Sequence, residues 1–290
     1  MEGLEHVRWH QQRELRNPVM VVAFTGWNDA ADAASNALRS LVEGWNAELV
    51  ASIDPDEYTD FGTIRPMVAL RDGKREIRWP ETAVWAASTP GVDVLLVLGP
   101  EPSLRWRSFA EHVVGIGQHY GTSLVLTLGA LLADVPHSRP VQLIGTSTDS
   151  ELTERFDLQP STYEGPTGIV GVIQDTCSRL EVPSASLWAA TPAYASSIPS
   201  PKAALALLRR ATDLIGAPAP AGDLLRDLEL YDSRVNELVA ADDDLPGYVR
   251  RLETMMGDIA EDDEPIDTED ASEHLIEELE QFLRGQDPED

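Results

Sequence analysis

Between residue 18 and about residue 216 the chain alternates apolar runs with segments of helical period, the pattern of an α/β fold. Pro18–Phe24 predicts a buried strand, and Asp29–Val42 a helix with Ala33, Ala37, Leu38 and Leu41 on its apolar face. Glu48–Ile53, Thr82–Ala87 and Val92–Leu98 predict further strands. The last, VDVLLVL, is apolar on both faces, as a central strand covered by helices must be. Asp72-Gly73, between Val68-Ala69-Leu70 and Glu76–Trp79, predicts a hairpin, because Asp-Gly supplies the positive φ values of a type I′ turn.

The second half continues the alternation. It predicts a helix from about Ser103 to Tyr120, strands at Ser123–Leu128 and Val141–Gly145, and a short helix at Asp149–Phe156 capped by Ser147 or Asp149. Thr167–Glu181 predicts a helix, Ser184–Ala190 a strand, and Ser200–Ile215 a helix with Pro201 in its first turn and Gly216 past its end.

Residues 217–222, APAPAG, break the pattern and read as a linker, so the expected division is an α/β domain over 1–216 and a helical extension over 217–290. In the extension, Leu224, Leu228, Tyr231, Val235 and Leu238 form a heptad seam, repeated by Tyr248, Leu252, Met255 and Ile259, the pattern of an antiparallel helical hairpin or a short coiled coil. Two heptads are too short to stand alone, so the seam must pack on the domain or on another subunit. Glu261–Asp270 reads as a solvated loop. Ser272–Arg284 reads as an acidic amphipathic helix with Leu275, Ile276, Leu279, Phe282 and Leu283 on one side.

Charge narrows the function classes. The net charge is −28, and residues 241–290 hold 19 Asp/Glu against 3 Arg. Such a field disfavours nucleic acid and anionic membrane as partners. No apolar segment approaches the ~20 residues of a membrane helix, and the polar start has no signal-peptide core. The lone Cys177 excludes an internal disulfide framework, and a cytoplasmic location is expected. The only lysines, Lys74 and Lys202, lie outside any glycine-rich loop, which counts against ATP-dependent chemistry.

Candidate chemistry is sparse. His6 with His10, and His112 with His119, lack a third ligand at useful spacing, so no metal and no cofactor is expected. No G-x-S-x-G occurs, and Cys177 lies within a helical stretch as a small buried thiol. His137, beside Asp134 and between Pro136 and Pro140, reads as a loop brace with a general base as the sharper alternative. Three glycine turns precede helices and could hold an anion: Gly26, Gly145-Thr146-Ser147 and Gly165-Pro166-Thr167-Gly168. Asp29, Asp32, Asp149, Glu151 and Glu164 already supply negative charge there, and Asn28 and Asp29 read as caps.

Several motifs taken together resemble one family. They are VMVVAFTGWNDAADAAS, DPDEYTDFGTIRP, LGPEPSLRWRSFAEHV, LGALLADVPHSRP, GTSTDSEL, YEGPTGIVGVIQDTC and PSASLWAATPAY. In order and spacing they are similar to the actinobacterial type of the proteasome assembly chaperone 2 family, sometimes labelled ATP-grasp-like. The resemblance implies a three-layer α/β/α sandwich of the phosphorylase/hydrolase-like class with a C-terminal helical extension. It also implies a homo-oligomer, a trimer being one option, and proteasome subunits as protein partners. Two departures stand out. Proteasome-binding relatives commonly end in a hydrophobic-Tyr-any tail, whereas this chain ends Gly285-Gln286-Asp287-Pro288-Glu289-Asp290 and is expected to dock otherwise. Close relatives tend to read Pro-His-Tyr where this chain has Pro192-Ala193-Tyr194.

The expectation is therefore a non-enzymatic protein acting through protein–protein contacts, with Trp27, Trp106 and Tyr163 as surface aromatic residues suited to a partner. The alternative is a hydrolase or phosphorylase-like enzyme with a pocket at the Gly26, Ser147 and Gly165 turns. Its candidate residues would be Asn28, Asp29, His137, Thr146, Ser147 and Glu164.

Overall fold

A computed structural model of the chain describes residues 4–161 and 163–260. The predicted helix at Ser272–Arg284 lies outside the described residues. The first half runs β1 (Val7–Trp9), β2 (Val19–Thr25), α1 (Ala33–Gly44), β3 (Glu48–Ile53), β4 (Met67–Arg71), β5 (Lys74–Arg78), β6 (Thr82–Ser88) and β7 (Asp93–Pro100). It continues through α2 (Trp106–His119), β8 (Leu124–Ala133), β9 (Leu143–Ser147), α3 (Ser150–Phe156), β10 (Gln159–Pro160) and α4 (Ile169–Arg179). The last elements are β11 (Ser184–Pro192), α5 (Pro201–Ile215), α6 (Gly222–Ala240) and α7 (Leu245–Ala260).

Among the described residues the main sheet has nine strands in the order β1-β3-β6-β7-β2-β8-β11-β9-β10, and β4 pairs only with β5. The centre, β7-β2-β8-β11, is parallel, while β1, β3, β6 and β9 join through antiparallel pairings. Strand β2 shows why three layers form. Met20 through Phe24 are all fully buried. Val19, Val21 and Ala23 pack with α1 and α5 on one face; Met20, Val22 and Phe24 pack with α2 and α4 on the other. Full burial of each large side chain contributes roughly 1.5–3 kcal/mol, so this continuous apolar run has no stable place except between two helical layers.

Several boundaries differ from the expected ones for visible reasons. Helix α1 starts at Ala33 rather than Asp29, because Ala31 and Asp32 adopt left-handed φ values of 51° and 53°. The intervening chain continues along the sheet instead, Ala130 N donating to Asn28 O at 2.8 Å. Strand β8 extends to Ala133, beyond the expected Leu128, because β11 pairs with it along its whole length. Strands β1 and β10 are too short to show a period in the sequence.

The heptad seam of α6 packs on the domain. Leu224 joins the α1–α5 core, and Tyr231 and Val235 are buried against Ala195 and Ile198. In α7, Val249 and Leu252 are buried while Met255 is 59% exposed, and Tyr248 Oη donates to Asp134 Oδ1 at 2.6 Å. None of the described helices is long and apolar enough to cross a membrane.

Gly129 lets two strands meet a bulky ring. It is the register partner of Trp188, and a Cβ there would stand 2.5–2.6 Å from the Trp188 ring carbons. Gly129→Ala is therefore expected to destabilise the fold by about 1–3 kcal/mol through overpacking. Urea unfolding checks this by a lowered midpoint with an unchanged slope.

Candidate functional site

The carboxyl edge of the parallel strands is where open α/β sheets place ligands, so it is the place to ask what the turns hold. After β2 the chain turns at Gly26, whose φ of 120° favours glycine. Asn28 follows and is 1% exposed. Its Nδ2 donates to Glu101 Oε1 at 2.7 Å. The same oxygen accepts the N–H of Ile169, the first residue of α4, at 2.9 Å. Glu101 itself is fixed in place, since its backbone N–H donates to Thr25 O at 2.9 Å. One carboxylate thus closes the β2 turn and caps α4 from another strand.

The cap comes from Glu101 because the N-cap residue, Gly168, can carry no side chain. A Cβ on Gly168 would overlap the Asn28 amide. The helix terminus that suits an anion is thereby filled by a carboxylate of the protein. Asn28 Oδ1 is buried against this junction without a hydrogen-bond partner among the described residues.

Asp29 is 6% exposed. Its Oδ1 accepts the N–H of Ser35 in the first turn of α1 at 3.0 Å, so it caps that helix across the left-handed residues 31 and 32. Burial raises its pKa above the ordinary 3.8, and the hydrogen bonds from Ser35 only partly offset this.

Ser147 and His137 are engaged elsewhere. Ser147 Oγ donates to Ser184 O at 2.8 Å and accepts Asp149 N–H at 3.0 Å. Asp149 in turn caps α3, its Oδ1 accepting from Glu151 N at 2.9 Å. His137 is buried, with Nδ1 and its backbone N–H both 2.8 Å from Tyr194 Oη and Nε2 3.1 Å from Asn236 Oδ1. Lys202 Nζ donates to His137 O at 2.8 Å and pairs with Asp232 at 2.7 Å. Burial pushes the Tyr194 phenol up to about 12, so it remains a neutral donor. This cluster fastens α6 to the loop after β8.

Three turns do converge. Trp27 from the Gly26 turn, Thr146 and Thr148 on either side of Ser147, and Tyr163 and Gly165 before α4 line one open cleft of about 410 Å³, with Trp188 on its floor. Glu164 is exposed beside it, and Tyr163 Oη donates to Pro166 O at 2.6 Å. Trp106 lies apart, half-buried at the start of α2 with its indole N–H donating to Pro102 O. The cleft is walled by aromatic rings, by hydroxyls and by Val170, Gly171, Gln174, Asp175 and Ser178 of α4. Among the described residues no three His, Cys, Asp or Glu gather closely enough to hold a metal ion. Glu101 was not singled out in the sequence; a lone acidic residue directly after a central strand was the only sign of it.

Asp29 gives a signed pH test. A raised folded-state pKa means that ionised Asp29 opposes folding. This penalty is absent below the unfolded value, grows as pH rises through the folded value and is complete above it. Asp29→Asn keeps an oxygen for Ser35 N–H and removes the charge. The variant should therefore gain stability relative to the parent as pH rises from about 3.5 to about 8, as read from urea-unfolding curves across that range.

The comparisons agree with this architecture. The PAC2 family profile matches residues 23–239. A PAC2 family protein from Streptomyces avermitilis is 46% identical, with a TM-score of 0.75 over 80% of this chain and 99% of that one. The Mycobacterium tuberculosis proteasome-assembly chaperone homologue is 40% identical, with a TM-score of 0.71 and the same coverage of 80% and 99%. At 14% identity, an archaeal proteasome activator from Pyrococcus furiosus shares the fold, with a TM-score of 0.67 over 80% of this chain and 97% of that one. No curated protein matches the chain. With the family profile spanning most of its length and two close structural relatives, this chain is a member of the PAC2 family.

Proposed function

We propose that this protein is an oligomeric, non-enzymatic proteasome-related chaperone, and that the cleft at the carboxyl edge receives a segment of its protein partner. The observation that carries this reading is how the polar groups of that edge are used. Asn28 Nδ2, Glu101 Oε1, Asp29 Oδ1, Ser147 and His137 each hold a turn or a helix end in place. What the cleft presents is Trp27, Tyr163 and Trp188 beside hydroxyl groups, with Gln174 and the Asp175 carboxylate on the α4 side, a composition suited to a peptide segment that brings an apolar side chain and a polar or basic neighbour. Family membership supports a proteasome-related role, because relatives include a proteasome-assembly chaperone homologue. The enzyme alternative has less support: the described lining residues place no acid–base pair beside a nucleophile.

Capture from a host that possesses proteasomes tests the proposal. The full chain should retain proteasome subunits, with native mass spectrometry giving the stoichiometry. Trp27→Ala should cut recovery by about ten-fold or more, as expected for an aromatic hot spot, with an unchanged melting temperature. Equal recovery by the folded variant would remove the cleft from the proposal. Absence of proteasome subunits from the parent's partners would contradict the chaperone role.

A further inference from the structure

The β4–β5 hairpin is an exposed arm, since its strands pair with each other and with no strand of the main sheet. The register places Val68 opposite Ile77 and Leu70 opposite Arg75, so these four side chains share one face. Val68 is 52% exposed, Leu70 78% and Ile77 55%. That face carries one cation, Arg75, and no carboxylate, while Arg71, Lys74, Glu76 and Arg78 stand on the other. A two-stranded hairpin is marginal alone in water and gains stability when its apolar face is covered.

We propose that the cover is a second copy of the chain, whose aromatic cleft receives the arm. Leu70 enters among Trp27, Tyr163 and Trp188, and Arg75, its register partner, meets Asp175 and Glu164 at the rim. This rests on the proposed reading of the chain as oligomeric and of the cleft as a receptor for a peptide segment. The two surfaces match in polarity and in charge. The cleft is lined by aromatic rings, hydroxyls and the Asp175 carboxylate, with no Lys or Arg among its described lining residues. Arg179 beside it is shared between Asp175 and Glu111, each at 3.4 Å, so with exposed Glu164 the rim stays net negative. The arm brings the counterpart, a cation next to an exposed leucine.

Two other covers fit less well. Arm against arm would press Arg75 onto a face that offers no carboxylate and would bring two cations together. The chain's own cleft lies towards the far end of the strand order. Strands β6 and β11 are four places apart, or roughly 19 Å, and the apolar side chains of the arm stay exposed in the structure. Each copy therefore presents one arm and one cleft that it leaves open, the condition for a head-to-tail contact repeated around a closed oligomer. With a net charge of −28 on every copy, a cationic arm on an acidic rim is also the contact that mutual repulsion opposes least. The cleft then holds a neighbour's arm or a segment of a different partner, one at a time.

Native mass spectrometry of the full chain tests this by complementation. The parent should be a closed oligomer. Leu70→Ser/Ile77→Ser, which alters exposed side chains only, should weaken self-association by about ten-fold or more, and so should Trp27→Ala, each with an unchanged melting temperature. Mixing these two variants should give heterodimers that neither forms alone, because one intact arm then meets one intact cleft. Arg75→Glu should dissociate the oligomer, and adding Asp175→Arg should recover it. An oligomer that survives the arm variant would overturn the arm contact and leave the oligomeric reading standing, whereas a monomeric parent would overturn both. Dissociation of the arm variant with no heterodimers in the mixture would overturn the cleft as the receptor and assign the arm to another surface.

Discussion

One carboxylate holds the carboxyl edge of this fold together. Glu101, placed by the end of β7, accepts from the buried amide of Asn28 after β2 and from the first N–H of α4. Hydrogen bonds to a charged acceptor are worth about 1.5–3 kcal/mol each, and an orphaned buried donor costs a comparable amount. The arrangement requires Gly168, since any side chain there would displace Asn28. It also joins the two walls of the cleft, because Trp27 precedes Asn28 and Gly168 begins the helical wall.

Much of the fold was legible because burial writes directly onto hydrophobic period. Met20–Phe24 and Val94–Val97 are apolar on consecutive residues and proved central, and α5 begins at Pro201 and ends before Gly216 as those residues dictate. Legibility failed where tertiary pairing overrode local pattern. Strand β1 has three residues and exists because β3 offers an edge, with Arg13 bonded to Glu48 and Ser88 beside it. The start of α1 moved because Asn28 stays beside Ala130, which forces the left-handed pair Ala31 and Asp32.

The site divides in the same way. Strand ends in an α/β order point to the edge where Trp27, Thr146 and Gly165 line one cleft, while Gly26 and Ser147 themselves are not among its lining residues. The roles of the polar residues were not legible. Asn28 read as a cap for α1 but pairs with Glu101 73 residues away, and no local signal marks that contact. His137 sits in a network with Tyr194, Asn236 and Lys202, three residues from two later helices and the turn between β11 and α5. Such long-range polar contacts secure the helical region to the sandwich.

The central claim is that Glu101 and Asn28 act as one unit rather than as two independent surface groups. A double-mutant cycle of Glu101→Gln and Asn28→Ala, read by urea unfolding, measures this directly. The account predicts a coupling of about 1–3 kcal/mol, the second substitution costing little once the first is present. Additivity within about 0.5 kcal/mol would contradict it.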